Sequence, residues 1–460
     1  MPVAAALTPR VLAELADVVG SPHVVTDPEV TAGYAVDWTG RYRGATPAVV
    51  RPGSAAEVAA VVACCRAHGI AVVPQGGNTG MVGGGVPRHG EVVVSLRRLD
   101  EIAPVDAGGG QLQAGAGATL RAVQDAARAA GWSYGVDLGG RDSATIGGNV
   151  ATNAGGLRVL RYGDTRAQLL GAEAVLGTGA TLSHLGGLVK DNTGYPWHAL
   201  LCGSEGTLGI VTAVRLRLVP PAPARVVAVI GFERAPLAVA AAQQLRRSVP
   251  SLAAAELMVD AGVSLVCRVL GLAMPLPSAH AAYLLVEAAD VTDPAPVLSA
   301  AVASLEGARE DAVATEPGPI AALWRYREGH TEAVNSLGPP HKLDVTLPYD
   351  ALADMVERLP AVVAAVAPRA QVWLFGHVGD GNVHVNVTGV EPDDDAVDDA
   401  VFQAVAGAGG SISAEHGIGT AKSKWLHLNR SPAERAAFAA IKHALDPDGI
   451  LNPHVLLGDP

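Results

Sequence analysis

Residues 376–388 read Gly-His-Val-Gly-Asp-Gly-Asn-Val-His-Val-Asn-Val-Thr, which sets His377 and His384 on either side of Asp380-Gly381. Asp-Gly favours a two-residue hairpin turn. Strands over 371–378 and 383–388 joined through it would pair Gly379 with Asn382 and Val378 with Val383. His377 would then face His384 across the ladder, with Cβ atoms about 4.5–5.5 Å apart. Two imidazoles at that spacing can share a cation, or remain a solvated or hydrogen-bonded pair. Asn386 follows His384 by two residues, so the period of a strand sends it to the same face.

The stretch Ser-Ala-Glu-His at 413–416 supplies Glu415 and His416. Two histidines with one glutamate form the donor type of a catalytic zinc site, which keeps positions open for water or substrate. An imidazole exchanges protons near neutral pH, so His416 is a candidate general base; the other reading is a histidine that only orients Glu415. Cations for an acidic substrate occur in two places. Arg327 and Thr331 are four residues apart and share one face of an expected helix. Lys342, Asp344 and Thr346 alternate with Leu343, Val345 and Leu347, which puts Lys342 on the polar face of a strand. A guanidinium can hold a carboxylate through two charge-assisted hydrogen bonds.

A separate chemistry is written in glycine. An apolar strand ending in Pro74 runs into a segment where Gly76, Gly77, Gly80, Gly83, Gly84 and Gly85 crowd together. Such density frees backbone N–H groups to line a concavity that cradles an anion. The spacing matches neither a Rossmann fingerprint nor a P-loop. Residues 137–164 repeat the composition with Ser, Thr and Asn interleaved, and 202–212 add a third segment. Three of them in one domain point to a large cofactor with phosphates and a ring.

These residues need elements to position them. Between 47 and 219, short Val/Ile-rich strands alternate with capped helices. The run after Ser54 carries Glu57 as its capping-box partner and stops at Gly69. A Pro-rich break at 219–225 marks the main boundary. Beyond it, strands are expected near 226–232, 283–288, 342–347 and 371–388, with Ala-rich helices between them. The acidic run at 391–400 reads as a solvated loop.

The chain has 460 residues, almost half of them apolar, and a formal net charge of -12. Its length implies more than one core, with domains expected over 1–220, 221–410 and 411–460. The acidic balance argues against a nucleic-acid partner. Four cysteines without a Cys-x-x-Cys pair suit a reducing compartment. The N-terminal stretch has no basic leader and no apolar run is long enough for a membrane span, so a cytoplasmic protein is expected. A homodimer is compatible with these features.

Taken together, the stretches at 74–84, 147–163, 203–212, 376–387, 413–420 and 446–453 make the sequence resemble the FAD-dependent oxidoreductases of the vanillyl-alcohol-oxidase fold. Within that group the likeness is greatest to the D-2-hydroxyglutarate dehydrogenases, with the D-lactate dehydrogenases next. It covers nearly the whole chain. The resemblance implies an α+β architecture: a two-subdomain FAD-binding domain, an antiparallel-sheet substrate domain, and a helical C-terminal segment that returns to the flavin. It puts the FAD pyrophosphate against Gly76, Gly77, Asn78, Thr79 and Gly80, beside Pro74. Ser143, Gly147, Asn149, Thr152, Asn153 and Gly156 would line the isoalloxazine and ribityl path. Glu205 and Ile210 would fall on the adenine side, and Asn452 would reach back to the cofactor. No histidine stands in these segments, which favours FAD held without a covalent bond.

The same resemblance puts a divalent metal, zinc by donor type, on His377, His384 and Glu415, and the distal carboxylate of a dicarboxylic substrate on Arg327, Thr331 and Lys342. Asn386 would bond the substrate and His416 would take its hydroxyl proton. The expected reaction is oxidation of a D-2-hydroxy acid, foremost D-2-hydroxyglutarate. The electrons would pass from FAD to an electron-transfer flavoprotein, a quinone, a cytochrome or oxygen. D-lactate oxidation on the same apparatus is the nearest alternative. A flavin-free zinc hydrolase or a non-catalytic flavin-binding subunit would leave either the glycine segments or the metal set without a purpose.

Overall fold

The computed structural model describes residues 7–458, so the first six residues of the N-terminal stretch lie outside it. The chain divides into two compact units. One runs to Gly156, resumes over Gly163–Pro220 and takes up the chain again from Glu415; the other comprises Leu157–Tyr162 and Pro221–Ala414. Mixed helices and sheets make both units α+β. Among the described residues, no helix is long and apolar enough to cross a membrane.

The first unit holds two four-stranded sheets. In the first, β1 (Val24–Val25), β2 (Val49–Val50), β3 (Val72–Gln75) and β4 (Val92–Ser95) stand in the order β1-β2-β4-β3. The β2, β4 and β3 strands pair in parallel. The second contains β5 (Gln111–Gly115), β6 (Leu169–Val175), β7 (Thr181–His184) and β8 (Ile210–Arg217) in the order β5-β8-β6-β7, all antiparallel. The capped helix forms over Ala55–Ala67: the Ser54 hydroxyl accepts from the Glu57 amide at 3.1 Å, and Glu57 returns by accepting from Gly53. Gly69 follows at φ +63, a backbone state that glycine adopts without strain. Val58, Val61, Val62 and Cys65 of this helix are buried in one core with Leu15 and Val19 of the Pro9–Val19 helix.

The C-terminal segment belongs to this unit and adds a bridge beside β3. Val72 donates to the carbonyl of Ile450, and Asn452 donates to the carbonyl of Val72, each at 2.8 Å. Lys442 fixes the return, bonding the carbonyls of Thr207 and Leu451 and pairing with Asp446.

The second unit is built on one seven-stranded antiparallel sheet. Its strands are β9 (Ala224–Phe232), β10 (Leu252–Val259), β11 (Ala282–Asp290), β12 (Ala308–Ala314), β13 (His341–Thr346), β14 (Gln371–Gly376) and β15 (Asn382–Thr388), in the order β12-β9-β11-β10-β14-β15-β13. Two of these differ from the sequence expectation. β10 reads Leu-Ala-Ala-Ala-Glu-Leu-Met-Val, an Ala-rich run that intrinsic propensity assigns to a helix, yet it lies in the middle of the sheet with all but its last residue buried. β12 alternates exposed and half-buried residues at the opposite edge.

The acidic run also departs from a solvated loop. A helix starts at Ala396, and Asp398 in its first turn is buried against His341, with Nδ1 to Oδ1 at 2.7 Å. A carboxylate can be buried there because the imidazole pairs with it, and the Glu391 carbonyl takes the other ring nitrogen at 3.0 Å.

Candidate active site

In the first unit the glycine segments pack on one another. An added Cβ at Gly76 would come 2.1 Å from Thr145 Oγ1, and one at Gly77 would come 2.0 Å from the Ser143 carbonyl. These glycines are therefore required by contact between the first and second segments. Arg97 donates to the carbonyls of Gly76 and Gly77, holding the loop by its acceptors. Gly80, by contrast, faces open space. Asn78 sits at φ 55 and its side chain donates to the Val36 carbonyl. Thr79 packs near Gly140, and Pro74 touches Gly206 of the third segment.

The second segment opens the Ile146–Thr152 helix, capped by Thr145. Gly147 abuts Ala116, and the Thr152 hydroxyl donates back to the Gly148 carbonyl. Asn149 is buried, and its Nδ2 has no hydrogen-bond partner among the described residues. A native interior seldom leaves such a donor unpaired, and a polar ligand at this helix satisfies it, so the cradle fits a flavin nucleotide. Asn153 is tied to the loop that follows it. It ends the helix in the left-handed region, donates to Asp164 at 2.7 Å and accepts from the Arg166 amide.

Glu205, buried at φ 52, turns its carboxylate to the C-terminal segment, where it accepts from the amides of Ile418 and Gly419 at 2.8 and 2.7 Å. Burial pushes its carboxyl up to about 7 against the lowering effect of those amides and Lys422. Glu205 thus anchors the turn directly after His416, a half-buried residue on the 414–416 bend. Ile210 is buried in the hydrophobic core and stands opposite Val175 in the β6–β8 ladder. Asn452 joins the first and third segments, donating to the carbonyls of Gly84 and Glu205 at 2.8 and 2.7 Å. Gly156 donates to Glu415 Oε2 at 2.7 Å, which connects the second segment to the carboxylate of the proposed metal set.

In the second unit the hairpin register differs from the sequence expectation by two residues. Phe375, not His377, stands opposite His384. The connection spans 377–381, and the amides of Asp380 and Asn382 both donate to the His377 carbonyl. Contacts outside the hairpin override the local turn preference: the Gly379 amide donates to Ala255 of β10 at 3.1 Å, and the Tyr349 hydroxyl donates to the Gly379 carbonyl. The two histidines remain adjacent, with ring centroids 5.1 Å apart.

Each of these imidazoles meets a carboxylate at Nδ1. His377 is 2.7 Å from Glu256 Oε1, and His384 is 3.3 Å from Asp344 Oδ1. Glu256, in β10, also accepts from Arg327 Nε at 2.6 Å. Burial would raise the Glu256 carboxyl, but the facing His377 and Arg327 outweigh it and hold the group down at about 2. Burial lowers the His384 pKa in spite of Asp344, which favours a neutral ring. Cross-strand register pairs Lys342 with Asn386 and Asp344 with His384, so all four side chains share one face of β13 and β15. Burial brings the Lys342 ammonium down to about 8.

Arg327 and Thr331 lie on two short helices, Pro317–Glu328 and His330–Asn335, that meet at Gly329. Arg327 is buried over the Phe375 ring, its Nη2 3.5 Å from His377 Nε2, while Thr331 is half-buried. Two residues of this constellation escaped the sequence reading. Asp344 carried a usable signal in its alternation with Lys342, and Glu256 was the one charge in an apolar run.

A unit with a glycine cradle tied to a returning C-terminal segment, and a second unit built on a single antiparallel sheet, define a class. Residues 46–184 match the FAD binding domain model, and residues 222–456 match the model of the FAD linked oxidases, C-terminal domain. The fold is that of 4-ethylphenol oxidase from Gulosibacter chungangensis (TM-score 0.79, 19% identity, 98% of this chain and 97% of that one). It is equally that of p-cresol methylhydroxylase (TM-score 0.79, 17% identity, 98% and 96%). The protein is therefore an FAD-dependent oxidoreductase of the vanillyl-alcohol-oxidase fold.

Its sequence is 40% identical over 463 residues to D-2-hydroxyglutarate dehydrogenase from Xanthomonas citri pv. viticola, covering 97% of this chain and 96% of that one. It is 38% identical over 445 residues to the mitochondrial D-2-hydroxyglutarate dehydrogenase of Bos taurus, covering 94% and 81%. The chain belongs to the D-2-hydroxyglutarate dehydrogenase family.

Proposed function

We propose that this protein oxidises D-2-hydroxyglutarate to the 2-oxo acid, using FAD and a divalent metal, zinc by donor type, on His377, His384 and Glu415. One observation carries the reading: both histidines have a buried carboxylate at Nδ1, Glu256 and Asp344 respectively. That partner places the ring proton on Nδ1 and the lone pair on Nε2, which is how metal-bound histidines are oriented. FAD supplies the two-electron acceptor, and the metal supplies Lewis acidity toward the substrate hydroxyl.

The remaining work falls to the chain. Asn386 and Lys342, neighbours on one sheet face, bind the acid. Arg327 is held on Glu256 through Nε, and its Nη2, 3.5 Å from His377 Nε2, would turn from that nitrogen to the distal carboxylate once a metal takes the lone pair, with Thr331 adding its hydroxyl. His416 accepts the hydroxyl proton, held in place by the turn that Glu205 anchors. The reduced enzyme is re-oxidised by an electron-transfer flavoprotein, a quinone or a cytochrome, and the protein works in the cytoplasm.

Anaerobic mixing with D- and L-2-hydroxyglutarate and D-lactate tests the reading. The flavin should bleach fastest with D-2-hydroxyglutarate. Equal or faster bleaching by D-lactate would make it a D-lactate dehydrogenase, and bleaching by none of the acids would overturn the assignment.

A further inference from the structure

Away from the glycine cradle, the first unit carries a second constellation of donors. Glu14 lies on the Pro9–Val19 helix, Cys64 on the Ala55–Ala67 helix, and His68 caps the latter. His68 follows Cys64 by four positions, which sets them on one helix face directed at Glu14. The Cys64 Sγ is 3.7 Å from Glu14 Oε2, and His68 Nε2 is 2.8 Å from the same oxygen. All three donor atoms lie within 4.8 Å of one another.

Tetrahedral zinc, with bonds of about 2.0–2.3 Å to N, O and S, sets its donors roughly 3.3–3.7 Å apart. The Cys64–Glu14 separation already meets that, and the Glu14–His68 pair needs to open by about half an ångström. The other Glu14 oxygen, Oε1, accepts from Arg10 Nε at 2.9 Å, which fixes the carboxylate with Oε2 toward the site.

We propose that Glu14, Cys64 and His68 form a zinc site, separate from the flavin and substrate residues, that clips the first helix to the Ala55–Ala67 helix with water as fourth ligand.

Charge and chemistry agree with this. A thiolate and a carboxylate neutralise one divalent ion, and the C-terminal end of the Ala55–Ala67 helix, where its carbonyls collect, favours a cation. The thiolate selects zinc over magnesium or calcium, which prefer oxygen alone. The site has no part in hydride chemistry; its effect is on the anchoring of the first helix.

Cys64 is half-buried and the other three cysteines are buried, so alkylation of the native holoenzyme reports on it selectively. Iodoacetamide labelling of Cys64, followed by peptide mass spectrometry with and without zinc chloride, should slow by at least about tenfold when the site fills. Cobalt(II) titrated into the holoenzyme should give a near-ultraviolet thiolate-to-cobalt band. Cys64→Ser should lose that band and one equivalent of bound metal while keeping wild-type turnover, and His384→Ala should keep the band. Unchanged labelling in zinc together with no thiolate band in wild type would overturn the proposal and leave Glu14–His68 as an ion pair beside a thiol. Both wild-type measurements decide the matter even if the variant folds poorly.

Discussion

The Gly156 amide donates to the Glu415 carboxylate at 2.7 Å, tying the second glycine segment to the proposed metal carboxylate inside one unit. Gly156 stands at φ 93, and an added Cβ would come 2.0 Å from the Asp137 carbonyl, so a side chain there forces the backbone to move. Gly156→Ala should therefore lower flavin and metal content together. Absorbance per chain and metal analysis of the purified variant check it. A variant that loses FAD yet keeps all its metal would mean that Glu415 is set independently of Gly156.

Glu256 joins two site residues through one carboxylate, and removing it exposes both. Glu256→Gln leaves the Arg327 guanidinium buried without its countercharge, a change that costs about 3–5 kcal/mol when a buried pair is broken. Thermal denaturation should register that loss. Turnover should fall for both acids, because His377 loses its charged orienting partner whichever acid is bound, and further for D-2-hydroxyglutarate, whose distal carboxylate relies on Arg327. A variant of wild-type stability would show that Arg327 finds another partner.

How far the sequence reveals this site depends on whether local or distant contacts decide each position. The cap at Ser54, the glycine segments and the alternation around Lys342 are local signals, and the structure keeps them. The Asp380-Gly381 turn was a local signal too, but packing of Gly379 on β10 and Tyr349 overrode it, moving the register while leaving His377 beside His384. β10 could not be read because its alanines speak for a helix, and only its burial between β11 and β14 makes it a strand. Glu256 went unseen with it. The partners of the Glu205 carboxylate, the amides of Ile418 and Gly419, depend on contacts far along the chain.

Chelation should abolish turnover while the flavin stays bound, since the glycine segments pack on one another and keep the cradle without the ion. His384→Ala should lose one equivalent of metal and nearly all activity, and Asp344→Asn should weaken metal affinity by roughly tenfold to a hundredfold, as loss of an orienting partner does. Metal analysis beside steady-state rates separates these outcomes. Full metal content and activity in His384→Ala would remove that histidine from the set.

Lys342 gives the pH dependence a definite sign. Burial lowers its ammonium from 10.5 to about 8, so the charge that would hold a distal carboxylate is present below that value and is lost as pH rises through it. kcat/KM for D-2-hydroxyglutarate should decline above about pH 8 relative to D-lactate, which has no second carboxylate. Lys342→Ala should abolish the difference and cost about tenfold to a hundredfold on the dicarboxylate alone. The same shift bears on stability. Below both values the lysine is protonated in the folded and unfolded chain, so the fold carries the whole penalty of a buried charge. Between about 8 and 10.5 the unfolded chain binds more protons, and stability from this group rises with pH. Lys342→Met should accordingly raise the thermal midpoint at pH 7, by at most about 3 kcal/mol in unfolding free energy, while it destroys the substrate preference. A destabilised Lys342→Met, or pH profiles for the two acids that run parallel through pH 8, would place the lysine in the framework of the sheet and take the distal carboxylate away from it.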